Sequence, residues 1–168
     1  MELLKAQPKD TEEIFYIMNL ANSLLDDKGW YSIDTQEYVR EHIDDSSRGI
    51  VFKAVENGKI GAFFILHYPG PSVDSLGHYM KLDEQELLKV AYMDSLAVLP
   101  GFRGRCLQCA LMNHGETYLR STSYCHLMGT VHPENTYSLN NFLKLGYRVV
   151  TAAKLYGSLP RNIMYKRI

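Results

Sequence analysis

The stretch VAYMDSLAVLPGFRGRCLQCALM, residues 90–112, is the most informative part of this sequence about the fold. Residues 90–99 are mostly apolar and predict a β-strand, and GFRGR, residues 101–105, predicts a tight loop. Apolar side chains then recur at helical spacing from Leu107 onward. The sequence therefore predicts a strand, a short loop and a helix in direct succession.

Two kinds of site are compatible with this segment. The first amides of a helix lack intrahelical acceptors and carry partial positive charge, so a phosphate group binds well there. Gly104 permits an unusual backbone conformation, and Arg103 and Arg105 add charge that suits a diphosphate. Alternatively, Cys106 and Cys109 form a Cys-x-x-Cys pair at the start of the helix, as in redox and metal sites.

The position of the two cysteines favours the diphosphate interpretation. A redox Cys-x-x-Cys typically follows the first strand of a βαβ unit, whereas this pair lies about two-thirds along the chain. A zinc site needs about four ligands. Cys125 and His126 are adjacent in a predicted strand, so their side chains face opposite sides and make a poor second pair. We therefore expect no metal site.

The composition bounds the class of protein. The 168 residues suit a single domain spanning residues 1–168, without internal repeats. Lys and Arg number 18 against 19 Asp and Glu, which argues against a nucleic-acid-binding protein. No apolar run approaches the ~20 residues of a membrane span, and we expect no signal peptide. Three cysteines are an odd number and fit a reducing cytoplasm.

The order of predicted elements is β-α-α-β-β-(α)-β-α-β-α-β-β. Asn57-Gly58 lies between two β-rich runs and is a strong hairpin signal. Residues 69–89 are turn-rich and predict a small lobe, and GSLPRN, residues 157–162, predicts the turn between two closing strands. The chain is therefore predicted to be an α/β protein with antiparallel strand pairs at both ends.

Two blocks of this sequence resemble the GNAT superfamily of N-acyltransferases. The coenzyme A loop of that family, Arg/Gln-x-x-Gly-x-Gly/Ala, corresponds to residues 103–108, which follow an apolar-Val-x-Pro turn. The second family block, Asn-x-x-(small)-x-x-x-Tyr-x-x-x-Gly-Phe, corresponds to residues 135–147. Cys106 and Gln108 replace the two loop glycines, and we expect the backbone cradle to tolerate them if their φ angles stay negative.

The resemblance implies a fold and a cosubstrate. The fold is a central mixed, mostly antiparallel sheet, splayed between its fourth and fifth strands, with helices on both faces. Pantetheine lies in the gap, the loop holds the pyrophosphate, and an amine attacks the thioester of acetyl-CoA directly. The residues that the resemblance assigns to coenzyme A are Leu96, Ala97, Val98, Arg103, Gly104, Arg105, Cys106, Leu107, Gln108, Asn135, Ser138 and Phe142.

The catalytic candidates are Asp94, His132 and Tyr137. Asp94 lies on the predicted central strand in phase with Leu96 and Val98, where partial desolvation would suit a general base. His132 follows the fifth strand, and its ordinary pKa suits proton transfer near pH 7. The family often has a Tyr at the position of Phe142, where it acts as the general acid that protonates the leaving thiolate. Phe142 cannot do this, so Tyr137 is the candidate substitute.

The expected partners are acetyl-CoA and an amine acceptor, in a monomer or a homodimer. We expect the acceptor site between the first two helices, the lobe and the closing hairpin. Its candidate aromatic residues are Trp30, Tyr31, Tyr68, Tyr79 and Tyr156, and its candidate acidic residues are Asp26, Asp27, Asp44 and Asp45. Two alternatives stay open: a non-catalytic coenzyme A-binding module, which Phe142 permits, and a Cys-x-x-Cys thiol or metal protein.

Overall fold

A seven-stranded mixed sheet forms the centre of the protein. The computed structural model describes all 168 residues. The strand order is β1-β2-β3-β4-β5-β7-β6, and every neighbouring pair is antiparallel except β4–β5. The strands are β1 (Glu2–Lys5), β2 (Gly49–Glu56), β3 (Lys59–His67), β4 (Val90–Val98), β5 (His126–Val131), β6 (Arg148–Leu155) and β7 (Leu159–Arg167). The predicted mixed, mostly antiparallel sheet is confirmed.

Helices cover both faces of this sheet, as predicted. The helices are α1 (Thr11–Ser23), α2 (Gln36–Asp44), α3 (Glu84–Leu87), α4 (Leu107–Leu119) and α5 (Thr136–Lys144). Apolar residues of α1 and α2 pack on one face against a cluster that includes Phe63 and Ile65. On the other face, α4 and α5 pack against Phe64 and Leu66, which alternate with Phe63 and Ile65 along β3. The strand is apolar on both faces because both faces are buried.

The β2–β3 hairpin forms at the predicted turn. Asn57 and Gly58 adopt φ angles of +51° and +76°. A two-residue turn whose twist matches that of the flanking strands needs positive φ at both central positions, and Asn-Gly provides it at low cost. This hairpin places β3 beside β4 and so builds the half of the sheet that precedes the loop at residues 99–106.

The sheet splays apart between β4 and β5. Only Val90–Tyr92 of β4 pair with β5, opposite His126–Met128. Beyond these residues, β4 continues to Val98 with a strand partner only on its β3 side. A V-shaped gap therefore opens between Met93 and Gly129, and the predicted position of the splay is confirmed.

A β-bulge at Asp94 changes the predicted orientation of this residue. Ser95 pairs with Ile65 and Met93 with Leu66, so Asp94 is an extra residue on β4. Met93 and Leu96 consequently both pack on the α4 side of the sheet, whereas the Asp94 carboxylate contacts the hydroxyl group of Tyr38 on α2. The prediction that Asp94 shares a face with Leu96 and Val98 is wrong, because the bulge shifts the alternation by one residue.

Two further segments refine the predicted element boundaries. β7 begins at Leu159, so Pro160 and Arg161 belong to a strand and not to the predicted turn. The lobe at residues 69–89 contains a 3₁₀ turn at Leu76–Met80 and the short helix α3. None of the helices has both the length and the apolar character needed to cross a membrane.

Candidate active site

A cavity of about 120 Å³ lies where β4 and β5 separate. Met93 and Gly129, the first residues beyond the paired part of the two strands, are among its lining residues. The segment that joins α1 to α2 and the β6–β7 hairpin close its other sides. Its aromatic lining residues are Trp30, Tyr31, Tyr92 and Tyr156, and its charged ones are Asp34, Asp94 and Arg161. The cavity is therefore polar, aromatic and adjacent to the splay.

Asp94 is the titratable group at the centre of this arrangement. Its carboxylate accepts a hydrogen bond of 2.8 Å from the hydroxyl group of Tyr38. The side chain keeps solvent-accessible surface in the open cavity, but protein atoms crowd it on its other sides. This desolvation, together with the negative charge of Asp34, raises the pKa of Asp94 to about 7, and the Tyr38 hydrogen bond opposes the rise. Asp94 can therefore gain and lose a proton near neutral pH.

Neutral phenol groups surround Asp94. Burial and the charge of Asp94 raise the pKa of Tyr38, and burial likewise raises the pKa of Tyr31 and Tyr156. The Tyr31 hydroxyl lies 2.5 Å from Oγ of Ser95 on β4, and the Tyr156 hydroxyl lies 3.3 Å from Oγ1 of Thr130 on β5. These phenols stay protonated at neutral pH and can serve as hydrogen-bond donors.

The other two catalytic candidates lie outside the cavity. His132 is buried behind Trp30, its ring centroid 6.2 Å from that of the indole, and its Nδ1 accepts a hydrogen bond of 3.2 Å from the Glu134 amide. Tyr137 is 81% exposed on the first turn of α5. Of the three predicted candidates, only Asp94 lines the cavity.

The acceptor-site candidates divide in the same way. Trp30, Tyr31 and Tyr156 line the cavity, whereas Tyr68 and Tyr79 are not among its lining residues. Tyr68 instead stacks on Tyr124 at a centroid distance of 4.0 Å. None of the four predicted aspartates lines the cavity. Asp34 and Arg161 also contribute charges to the cavity, and neither is among the residues predicted from the sequence.

The predicted diphosphate loop presents a row of free backbone donors. The amides of Arg103 and Phe102 are satisfied within the 3₁₀ turn at Pro100–Phe102, and the amide of Ala110 is satisfied by the Cys106 carbonyl. The six amides in between, at residues 104–109, donate to no acceptor in the protein. Such a run of N–H groups at the start of a 13-residue helix is suited to bind an anion.

The shape of this loop depends on two left-handed residues. Gly104 has φ of +77° and Cys106 has φ of +56°. The expectation of a negative φ at Cys106 is wrong: the position keeps the left-handed conformation that favours glycine, although a cysteine occupies it. This conformation lets α4 begin at Leu107 directly after the loop.

The two arginines of the loop differ in their contacts. Arg105 forms an ion pair of 2.8 Å with Glu56 on β2, and its guanidinium stacks on Phe102. Nε of Arg103 lies 3.4 Å from the Val98 carbonyl, and the exposed guanidinium is in no ion pair. Arg103 therefore remains the available cation beside the free amides.

Residues of the second sequence block join α5 to α4. The Asn135 side chain caps α5 by accepting from the Ser138 amide at 3.2 Å. Nε2 of Gln108 donates to Oγ of Ser138 at 3.1 Å, and Oε1 of Gln108 accepts from Asn141 at 2.8 Å. Gln108 thus uses its side chain to connect the two helices, while its main-chain amide stays free.

Phe142 fills the inner part of the gap. Its ring packs edge-on against Tyr147, and its Cζ lies 3.0 Å from where a Cβ on Gly129 would be. Gly129 therefore allows the ring to approach β5 closely. The residue is 4% exposed and brings no proton donor to the gap.

The Cys-x-x-Cys interpretation finds no support in the geometry. Both thiols are free, and Sγ of Cys109 donates to Oδ1 of Asn141 at 3.3 Å. Burial raises the pKa of Cys109, whereas a reactive thiol needs a lowered one. The one cluster of three side chains able to ligate a metal, Glu86, Cys125 and His126, includes neither Cys106 nor Cys109. The prediction that the side chains of Cys125 and His126 face opposite sides is wrong, because β5 begins only at His126 and their ligand atoms lie within 4.8 Å of one another.

The fold and this site define an acyltransferase of the GNAT type. The model of the acetyltransferase (GNAT) family matches residues 14–147, which include β4, the loop, α4 and α5. The chain belongs to the GNAT acetyltransferase family, and the family resemblance is confirmed. No curated protein matches the chain significantly in sequence.

Solved structures share the fold over the whole chain. Ribosomal-protein-alanine N-acetyltransferase from Brucella melitensis is 17% identical, with a TM-score of 0.76 and 100% of both chains covered. The ribosomal-protein-S18-alanine N-acetyltransferase from Escherichia coli is 19% identical, with a TM-score of 0.74, covering 99% of this chain and 93% of its own. A putative acetyltransferase from Salmonella typhimurium, solved with its cofactor acetyl-CoA, is 17% identical, with a TM-score of 0.73 and the same coverage.

Proposed function

We propose that this protein is an acetyl-CoA-dependent N-acetyltransferase that acts on a primary amine of a small molecule or peptide. The observation that carries the proposal is the row of six free amides at residues 104–109. In the chain, these amides follow the part of β4, from Met93 to Val98, that has no partner on the β5 side. The family membership supports acyl transfer, and a structural neighbour contains acetyl-CoA. Acetyl-CoA would supply the activated acetyl group as a thioester.

The residues present fit coenzyme A. The six free amides suit the diphosphate, and Arg103 adds a positive charge beside them. The backbone of Leu96, Ala97 and Val98 has no strand partner on the β5 side, so it is available to an extended pantetheine. Phe142 would pack against the inner end of the cosubstrate, and the cap of Asn135 and the hydrogen bond of Ser138 would hold α5 in position.

Asp94 is the proposed general base. An amine is mostly protonated near pH 7, and only its neutral form has the lone pair that attacks the thioester carbon. A carboxylate with a pKa of about 7 accepts a proton from such an ammonium group far better than one with the ordinary value. The proton released on transfer passes to the departing thiolate through solvent, because Phe142 has no hydroxyl group. The exposed Tyr137 has no contact with the cavity and takes no part in this path.

The direct test is acetyl transfer to a panel of primary amines, followed by mass spectrometry of the acetylated acceptor. Asp94→Asn should lower kcat/KM about 100-fold or more, the usual effect of removing a general base. Asp44→Asn, at an exposed carboxylate of α2, is the matched control and should leave kcat/KM unchanged. Coenzyme A binding without transfer to any amine would instead identify a non-catalytic coenzyme A-binding module.

A further inference from the structure

Arg161 is a buried cation without an ion-pair partner. Only 3% of the residue is exposed, and no carboxylate lies within 4.0 Å of its guanidinium group. Its two hydrogen bonds go to neutral acceptors, the Pro160 carbonyl at 2.9 Å and Oγ of Ser32 at 3.3 Å. A buried charge costs free energy unless a partner compensates it, so an unpaired buried arginine points to a ligand.

The guanidinium group lines the same cavity as Asp94. The two acidic residues of that cavity, Asp34 and Asp94, form no ion pair with it, so positive and negative charge face the cavity separately. The ring face of Tyr156 lies 5.6 Å from the guanidinium group. Burial lowers the pKa of Arg161, the charge of Asp27 opposes this shift without forming an ion pair, and the ordinary pKa is so high that the group stays charged. The cavity is thus arranged for a ligand that carries both signs of charge.

A second donor without a partner belongs to Trp30, another residue of the cavity lining. Nε1 of Trp30 is buried and has no hydrogen-bond acceptor in the protein. Trp30 belongs to the segment that packs on the start of β7, where Ser32 contacts Arg161 and Gly29 lies beside Leu159. An indole N–H and a guanidinium are both donors only, and a carboxylate accepts from each of them.

We propose that Arg161 binds the carboxylate of the acceptor, and that the acceptor is a free amino acid. This proposal rests on the proposed N-acetyltransferase function, with the amine of the amino acid directed to Asp94. Planar guanidinium groups match carboxylates in a bidentate manner, which fixes orientation as well as charge. A neutral or purely cationic amine would leave Arg161 buried and unpaired and would therefore react poorly.

The test compares acceptors that differ only in the carboxylate. The pairs are phenylalanine with phenethylamine, tyrosine with tyramine, lysine with cadaverine, and alanine with ethylamine, and each amino acid is also offered as its carboxamide. For the best pair, the wild-type protein should prefer the amino acid by about 100-fold in kcat/KM, as expected for a buried charge pair. Equal use of both members of every pair overturns the proposal while leaving the acetyltransferase function intact.

Variants at Arg161 attribute the preference to this side chain. Arg161→Gln should reduce kcat/KM for the amino acid about 100-fold. It should change kcat/KM for the matching amine, which lacks the carboxylate, less than about threefold. Arg161→Lys keeps the positive charge but loses the planar, bidentate donor group. Its kcat/KM for the amino acid should therefore lie between the values for the wild-type protein and for Arg161→Gln. Arg120→Gln, at an exposed arginine after α4, is the control. Equal loss for both members of a pair contradicts the assignment, since a structural defect would act in that way, and melting temperatures identify any unfolded variant.

Binding gives an independent answer without turnover. Calorimetric titration of the same amino acids into the protein saturated with coenzyme A should detect binding that Arg161→Gln abolishes. If no amine or amino acid is acetylated, the proposed function fails, and this titration still decides the carboxylate site. No binding of any amino acid to the wild-type protein overturns the inference.

Discussion

The Tyr38 hydroxyl group donates a 2.8 Å hydrogen bond to the Asp94 carboxylate, and so connects α2 to the bulge of β4. The Tyr38 ring packs against His42 in a tilted arrangement, with a centroid distance of 4.1 Å and an interplanar angle of 39°. This bond favours the ionised form of Asp94, whereas burial and the charge of Asp34 favour the protonated form. The balance leaves the pKa of Asp94 at about 7.

Removing the Tyr38 hydroxyl should shift the pH profile upward. Tyr38→Phe removes the hydrogen bond that stabilises the carboxylate, so the pKa of Asp94 rises above about 7. The base is active when ionised, so the midpoint of kcat/KM against pH should move to higher pH. Initial rates of acetyl transfer across pH 5 to 9 give this midpoint. Tyr16→Phe, at an exposed tyrosine of α1, is the control, and a midpoint unchanged in Tyr38→Phe contradicts the assignment of Asp94.

Removing the charge of Asp34 should have the opposite effect. The negative charge of Asp34 raises the pKa of Asp94, so Asp34→Asn lowers it and moves the midpoint to lower pH. The same initial-rate series measures it, with Asp44→Asn as the matched control. Shifts of the same sign in Asp34→Asn and Tyr38→Phe would show that the titrating group is not Asp94.

The raised pKa of Asp94 should also appear in folding stability. In the folded protein Asp94 keeps its proton up to about pH 7, whereas in the unfolded chain it ionises near 4. The folded state therefore binds more protons between these values, and this group's contribution to stability falls as pH rises from about 4 to about 7. Asp94→Asn removes the penalty and should raise the melting temperature at pH 8 more than at pH 4. An equal change at both pH values contradicts the raised pKa.

The two glycines of the loop should respond differently to a methyl group. At Gly104, φ of +77° strains any L-residue, so Gly104→Ala should cost about 1 kcal/mol and weaken coenzyme A binding about tenfold. Gly101 lies outside that region, and a Cβ there meets no atom within 4 Å, so Gly101→Ala is the control. Calorimetric Kd values for coenzyme A measure the difference. Equal Kd values for both variants would show that the loop conformation does not hold the ligand.

The two cysteines should be dispensable. Cys106→Gly keeps the left-handed conformation and Cys109→Ala keeps a small side chain, so the double variant should retain kcat within about threefold. Mass-spectrometric rates of acetyl transfer measure it. A loss of transfer with unchanged affinity for coenzyme A would give the thiols a chemical role and revive the Cys-x-x-Cys interpretation.

Local signals in the sequence were sufficient for the fold. The Asn57-Gly58 turn predicted the hairpin, and the strand, loop and helix at residues 90–112 predicted the junction that the splay exposes. These features depend on neighbours in sequence. The bulge at Asp94 depends on how β3 and β4 pair, and nothing in the alternation of β4 residues reveals it.

The acceptor side of the site was less predictable for the same reason. Asp34 and Arg161 are far apart in sequence, and the register of β7 against β5 and the path between α1 and α2 bring them to one cavity. Arg161 lay in a predicted turn, where a charged residue carries no signal. Its significance comes from its burial without an ion pair, which only the structure provides.

A crystal structure with bound coenzyme A would show whether the loop at residues 99–106 and the start of α4 hold the diphosphate. We expect diphosphate oxygens within hydrogen-bonding distance of the amides of residues 104–109, pantetheine along Leu96–Val98, and the thiol directed to the cavity that contains Asp94. A diphosphate bound elsewhere, with these six amides facing only water, would contradict it.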